Sequence, residues 1–376
     1  MITAISYAFL QEYWWAIISL LGSLLVFLMF VQGGQSLLYT IGKTEMQRTM
    51  LVNTLGRKWE FTFTTLVTFG GAFFASFPLF YATSFGGAYW VWILILFSFI
   101  LQAVSYEFRS KPANLLGSRV YEIFLIINGL MGTILIGTAV GTFFNGAQFS
   151  LNEFNQVHWQ TDTRGLEAVL NIHNVSLGLS VFFLTRVLAL LYFNNSVDEA
   201  EIAERTKKHL WINAVLFLVF FLFFLVVLLV KEGFAVQSET GIVALEKYKY
   251  LHNLLEMPLV LVLFLSGVVL VLYGMARDLF RKPGKGIWFA GTGTVLTVFS
   301  LFLIAGYNHT CFYPSVFDLQ SSLHIRNSSS SEFTLTVMSW VSLLVPFVIA
   351  YIWYAWRSIN NKKIDRKEME AGGHKY

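Results

Sequence analysis

The sequence predicts an all-α, polytopic transmembrane protein of about nine helices, arranged as two helical bundles plus a peripheral helix. Three observations predict the membrane-spanning helices. Charged residues make up only 13% of the 376 positions while 56% are hydrophobic, and the mean hydropathy is +0.62. A soluble chain of this length would carry about a quarter charged residues. Apolar runs of about twenty residues recur along the chain, and such a run, wound as a helix, matches a hydrocarbon core roughly 30 Å thick. The basic residues fall overwhelmingly on alternate loops, as the positive-inside rule requires of a membrane-spanning chain.

Taken between charged or Gly/Pro-rich breaks, the predicted spans are residues 14–35, 61–83, 88–106, 120–144, 174–193, 210–230, 257–276, 287–306 and 334–356. The first is interrupted near its end by Gln32, Gly33, Gly34 and Gln35, and the fifth contains Arg186. This segmentation places twenty of the 26 Lys and Arg residues on one side, including six in the C-terminal tail. Five lie on the other side, and Arg186 lies within a span. The N-terminus is therefore expected outside and the C-terminus in the cytoplasm, which an odd number of spans satisfies. Residues 1–356 form a single transmembrane domain and 357–376 a basic cytoplasmic tail, whose last residues, Ala371 to Tyr376, are expected to be frayed and solvated. Segments 145–173, 231–256 and 307–333 are the longer outer loops. The single cysteine, Cys311, excludes an internal disulfide framework and a Cys-rich metal site. A net charge of +4 does not suggest a nucleic-acid partner.

Polar residues at the ends of these spans are the candidates for chemistry. Arg57-Lys58-Trp59-Glu60 opens the second span, with Glu60 at its cytoplasmic end. An acid there can pass protons inward along waters. Equally, it suits the start of a helix, where the macrodipole and Arg57 or Lys58 stabilise it. Gly70 and Gly71 offer a small-residue face for close helix packing, as do Gly129, Gly132, Gly137, Ala139 and Gly141 in the fourth span. Glu107, Arg109 and Lys111 follow the third span and Glu122 opens the fourth, which suggests an interfacial ion-pair network. Arg186 lies about 18 Å along the fifth span, where it can snorkel or, if it faces the bundle, pair with an acid. Of the seven histidines, six lie in loops, the tail or span edges, and His173 just precedes the fifth span. None is placed mid-span as an axial haem ligand would be. No phosphate loop, nucleophile elbow or zinc motif is present.

Several polar strings narrow the reading. Lys58-Trp59-Glu60, Leu66 to Thr68, GGAFFASFP from Gly70 to Pro78 and Tyr81-Ala82 resemble the second-helix signature of the small subunit of cytochrome bd quinol oxidases. YEFRSK at 106–111, GTAVGTFFNG at 137–146, Tyr313-Pro314 and SSSSEFTLTVMSW at 328–340, followed by Pro346, are similar to further elements of that family in the same order. The resemblance implies a haem-free subunit paired with a haem-bearing large subunit that carries two b-type haems and one d-type haem. Together the two would oxidise quinol, reduce oxygen to water and build a proton-motive force in the bacterial cytoplasmic membrane. It further implies a proton route through Glu60 beside Trp59, and electrostatic or structural roles for Arg109 and Lys111. A structurally bound quinone and one or more small single-span subunits also follow as expectations. Where the family commonly has two acids at the end of the first helix, this chain has Gln32 and Gln35, which hydrogen-bond but do not titrate. Without the resemblance, a secondary transporter or a purely structural scaffold would be the alternatives.

Overall fold

In the computed structural model, described for residues 6–368 apart from 113, 239, 361 and 367, the long apolar runs are helices. Seven are long and apolar enough to cross a membrane unaided. These are α1 (Tyr7–Gln35), α4 (Tyr89–Phe108), α5 (Ser118–Asn145), α6 (Ile172–Ser196), α7 (Ala200–Val230), α9 (Pro258–Phe280) and α10 (Gly286–Gly306). Two further spans are bent, giving up to nine among the described residues. In the first, α2 (Glu45–Gly56) and α3 (Trp59–Ser76) lead into a segment turned by 117° at Phe77 and Pro78. Proline lacks an amide proton and disfavours helical geometry in the residue before it, so the run breaks there. In the second, α11 (Glu332–Ser342) and α12 (Val345–Ile359) meet at 41°. Among the shorter helices, α8 (Lys249–Glu256) lies in a connecting segment.

These positions refine the predicted ones. The first span begins at Tyr7, seven residues before expected, because Ser6 caps its first turn by accepting from the Phe9 amide. The second ends at Ser76, where the Pro78 turn deflects the chain that hydropathy would have carried on to residue 83. Helix α2 was not foreseen. It opens on a capping box, in which Thr44 and Gln47 satisfy each other's backbone amides.

The first four spans and the next four form two groups. They join where α1 packs on α10 and α6, and where α5 packs on α6. Helix α6, the span containing Arg186, is the most enclosed of the spans. Close approach depends on glycine. A Cβ on Gly137 would lie 2.7 Å from the Gly178 Cα, and one on Gly129 would lie 2.5 Å from the Gln32 carbonyl oxygen. Association within lipid rests on such van der Waals contact between backbones.

The ninth span is peripheral, with most of α12 exposed. Tyr13 Oη bonds Ser342 Oγ at 2.7 Å and Trp14 Nε1 donates to Ser339 Oγ at 3.0 Å, tying α11 to α1. Lower down, Trp356 packs among Phe27, Phe30 and Phe61.

Three inter-helix loops at the end of the molecule away from the basic loops each contain a small antiparallel hairpin, at Phe149–Leu151 with Val157–Trp159, Glu232–Val236 with Val243–Lys247, and Cys311–Tyr313 with Leu323–His324. Single bridges from Ala147 to Ser315 and from Ala235 to Thr310 join the loops into one cap. The opposite end of the molecule carries the basic loops and is called the basic end below. Residues of the basic tail dock there: Ile364 bridges to Val197, Arg366 pairs with Glu199, and Arg57 pairs with Glu368. Ala371 to Tyr376 lie outside the described residues.

Within the hairpin cap, Cys311 is fully buried and burial pushes its thiol up to about 12. Maleimide at pH 8 is therefore expected to leave the folded protein unlabelled and to modify one thiol after denaturation in detergent, as read by mass spectrometry.

Candidate functional site at the basic end

Four elements converge at the basic end between α1, α2, α4 and α5. Glu122, in the first turns of α5, is buried and faces inward. Its Oε1 accepts from Arg109 Nη2 at 2.7 Å, and its Oε2 accepts from Arg48 Nε at 3.0 Å and Tyr39 Oη at 2.7 Å. Arg109, at the C-terminal cap of α4, is also buried and donates to Thr49 Oγ1 at 3.1 Å. Two guanidinium groups and a phenol thus satisfy one carboxylate. The ion-pair network expected from sequence exists, but it is buried and centred on Glu122. Glu107 and Lys111 form a separate, exposed pair at 3.1 Å on the surface of the same end, an arrangement worth little to stability.

Trp59 and Glu60, adjacent in sequence, point to different places. The Trp59 ring is half-buried and stacks on Tyr106 at 5.7 Å, with an interplanar angle of 16°. Glu60 is exposed on the outward face of α3, and neither Arg57 nor Lys58 pairs with it. Arg57 turns to Glu368, while Lys58 is fully buried with its ammonium 4.2 Å from the Trp356 ring centroid and 5.6 Å from that of Phe61. Cation–π attraction of this kind is worth up to about 2 kcal/mol once desolvated, and it tethers the peripheral span. Glu60 lines a groove of about 670 Å³ between α3 and α12, with Thr64, Thr65, Val348 and Tyr351.

Behind the Trp59–Tyr106 stack lies a cluster of neutral amides. Gln35 Nε2 donates to Tyr106 Oη at 3.0 Å, and Asn128 Nδ2 donates to Ser98 Oγ at 3.2 Å. Gln32 and Gln102 are completely buried, and neither amide atom of either has a protein partner. Gln102, Tyr39 and Arg48 were not anticipated from sequence. Gln102 left a signal, as the one amide within the apolar run of α4, whereas Arg48 and Tyr39 looked like ordinary loop residues.

Among the described residues, packing within this chain gives neither Arg186 an acid nor the Gly70–Gly71 face a close helix. Arg186 has no carboxylate within ion-pair range among the described residues; its guanidinium lies over the Phe182 ring at 5.1 Å instead. Gly70 and Gly71 do not receive a helix of this chain, since a Cβ on Gly71 would meet nothing within 4 Å and one on Gly70 only the Phe85 ring. They lie on or beside the face of α3 that also presents Glu60, Thr64 and Thr68 outward.

The sequence model of the family described as cytochrome bd terminal oxidase subunit II matches residues 10–359, nearly the whole chain. This chain belongs to that family. Among similar proteins, the probable cytochrome oxidase subunit 2 of Haemophilus influenzae is 29% identical over 94% of each chain. The cytochrome bd-I ubiquinol oxidase subunit 2 of Escherichia coli is 27% identical over 98% of this chain and 99% of the relative. The cytochrome bd ubiquinol oxidase subunit 2 of Bacillus subtilis is 26% identical over 87% and 88%. The fold matches a chain of the bd oxidase from Geobacillus thermodenitrificans at a TM-score of 0.58 and 11% identity, over 93% of this chain and 98% of that one.

As a cytochrome bd subunit II, the chain is a component of a respiratory quinol oxidase, an oxidoreductase complex that includes a subunit I, in the bacterial inner membrane. The family carries haem, typically on that partner. Among the described residues, the histidines of this subunit II do not fit an axial haem pair. His173, in the first turn of α6, has Nε2 2.9 Å from the Phe224 carbonyl and Nδ1 3.0 Å from Asn145 Oδ1, so both ring nitrogens are engaged. His158, His252, His309 and His324 lie in the hairpin cap and α8, and His209 near the basic end of α7. His374 lies outside the described residues.

Proposed function

We propose that this chain is the haem-free supporting subunit of the oxidase. In this reading subunit I carries two b-type haems and one d-type haem, and Glu60 beside Trp59 takes up protons on the cytoplasmic side at the contact between the subunits. The observation that carries the reading is the outward face of α3. Glu60, Thr64, Thr68 and Gly71 form an exposed stripe, and the Glu60 end of it opens into the groove beside α12. A carboxylate and hydroxyls facing lipid at this depth are costly, whereas against another subunit they gain partners and the glycine admits a close helix. The position of Glu60 on that face favours a route along the contact between subunits over one through the interior of this chain.

The orientation follows the basic residues, with the hairpin cap outside and the C-terminus in the cytoplasm. Residues 1–356 act as one membrane domain, and the basic segment after them is cytoplasmic. Arg109 and Glu122 hold the basic end together, and Lys111 with Glu107 contributes at its surface. A structural quinone and small single-span subunits complete the proposed assembly.

The test is Glu60→Gln in the assembled complex. Quinol-driven oxygen uptake and proton uptake are expected to fall at least tenfold, with haem content and subunit ratio unchanged. Full turnover and full proton uptake in that variant would rule out an essential proton path through Glu60.

A further inference from the structure

Arg186 is a charge that the chain leaves without a counter-ion. It projects from α6, and no carboxylate among the described residues reaches it. Its Nε is buried with no hydrogen-bond partner, while the residue as a whole stays partly exposed beside the Phe182 ring. Its level in the fold can be counted. Arg186 stands ten residues before Ser196 and His209 nine residues after Ala200, so each is about 14–15 Å from the basic end of its helix. Helices α6 and α7 pack side by side across a three-residue connection, which sets Arg186 level with His209. The charges of α7 stop at the same level, where Lys207-Lys208-His209 gives way to the apolar run from Leu210 to Val230. Trp211, 58% exposed, marks this as the boundary between headgroups and hydrocarbon.

Other cations gather at the same point. His209 is within electrostatic range of Arg186, Lys208 and Lys43. Lys43 comes from the turn before α2, and the segment just ahead of it, Leu38–Ile41, packs against α7. Lys43 and Lys208 are exposed and, among the described residues, form no ion pair. Of the acids on these elements, Glu201 is held by Arg205 and Gln47, and Glu45 and Glu204 come within ion-pair range of none of the three cations. Away from the basic end, Lys208, Ile212, Val215, Val219 and Leu222 follow at three- and four-residue intervals along one exposed face of α7.

A guanidinium at the edge of hydrocarbon is costly until an anion meets it. A phosphodiester presents oxygens that a guanidinium binds in pairs. A phospholipid carries that group at this depth and brings acyl chains suited to the apolar face beside it. A zwitterionic headgroup would add an ammonium to the cluster, whereas a headgroup of net charge −1 complements it. We propose that Arg186, Lys43 and Lys208 form a site for one anionic phospholipid, its phosphate between α6, α7 and the turn before α2 and an acyl chain along the exposed face of α7. This inference needs the chain in a membrane and is independent of the uptake role of Glu60.

The experiment uses the intact oxidase complex, stripped of bound lipid in detergent and titrated with phosphatidylglycerol or phosphatidylcholine under native mass spectrometry. One phosphatidylglycerol is expected to bind at least tenfold more tightly than phosphatidylcholine. Arg186→Gln is expected to weaken it at least tenfold. Combined Lys43→Gln and Lys208→Gln should weaken it in the same direction; both side chains are exposed, so this variant keeps the test open if Arg186→Gln assembles poorly. Lys111→Gln, on the exposed pair with Glu107, should bind as the parent does. Electron cryo-microscopy of the parent complex should show headgroup density at Arg186. Parental affinity for phosphatidylglycerol in both the Arg186 and the double-lysine variants would overturn the proposal. So would equal affinity of the parent for the two lipids, or a carboxylate of subunit I seated on Arg186.

Discussion

Replacing Glu122 by leucine is expected to destabilise the subunit by about 3–5 kcal/mol, the range for removing one partner of a buried ion pair. The loss comes from what remains. Arg109 stays buried beside α5 and Arg48 stays close to it, each without its carboxylate, and the Tyr39 hydroxyl loses its acceptor. The carboxylate shared by both positive charges is then gone from a region that water reaches poorly. Glu122→Gln retains an acceptor for one arginine and should cost less. Combining Arg109→Leu with Glu122→Leu removes a charge of each sign and should recover part of the loss. The measurement is the detergent melting temperature and the yield of assembled, haem-containing complex. A Glu122→Leu complex that melts within a degree or two of the parent would show that the cluster contributes no net stability.

Gly33→Ala is the second large effect. The added methyl carbon would sit 2.2 Å from both the carbonyl carbon and the oxygen of Thr185, and 2.6 Å from the Arg186 nitrogen. These are backbone atoms of α6, the most enclosed span, so no flexible side chain can move aside. Either α1 withdraws from α6 or the substituted chain fails to pack. Overpacking of side chains costs about 1–3 kcal/mol, and a clash with backbone should reach the top of that range or exceed it. Gly71→Ala is the control, because a methyl carbon there meets nothing in this chain. The isolated subunit is expected to tolerate it, with a loss confined to the recovery of subunit I on co-purification. Equal melting temperatures for Gly33→Ala and the parent would refute the packing argument.

Legibility from sequence differed sharply between the two acids. Both Glu60 and Glu122 stand at the basic end of a predicted span, and the sequence offers the same description of each. Glu60 drew the stronger expectation because it follows Trp59 in a string resembling a family element. In the fold it is exposed in the groove between α3 and α12, while Glu122 sits at the centre of the buried charged cluster. Arg186 shows the same limit. Its depth along the span was readable by counting residues, but whether it would find an acid depended on which face of α6 it occupies. The amide cluster was half legible, since Gln32 and Gln35 were conspicuous in α1 as polar breaks and Gln102 acquired meaning only beside them.

The sequence by itself determined that the chain lies in a membrane and where most spans lie. Hydrophobic length and basic-residue asymmetry are one-dimensional quantities, set by transfer from water to lipid along the chain. Its ordered polar strings also carried the family. Tertiary structure alone decided which face of each helix turns inward, and so which acid is clamped, which glycine is packed and which amides are enclosed together. The physical reason is that lipid and protein interior are similarly apolar. A helix passing through both has no amphipathic stripe to announce its buried side, unlike a helix at the surface of a soluble domain. Only the contacts between helices carry that information.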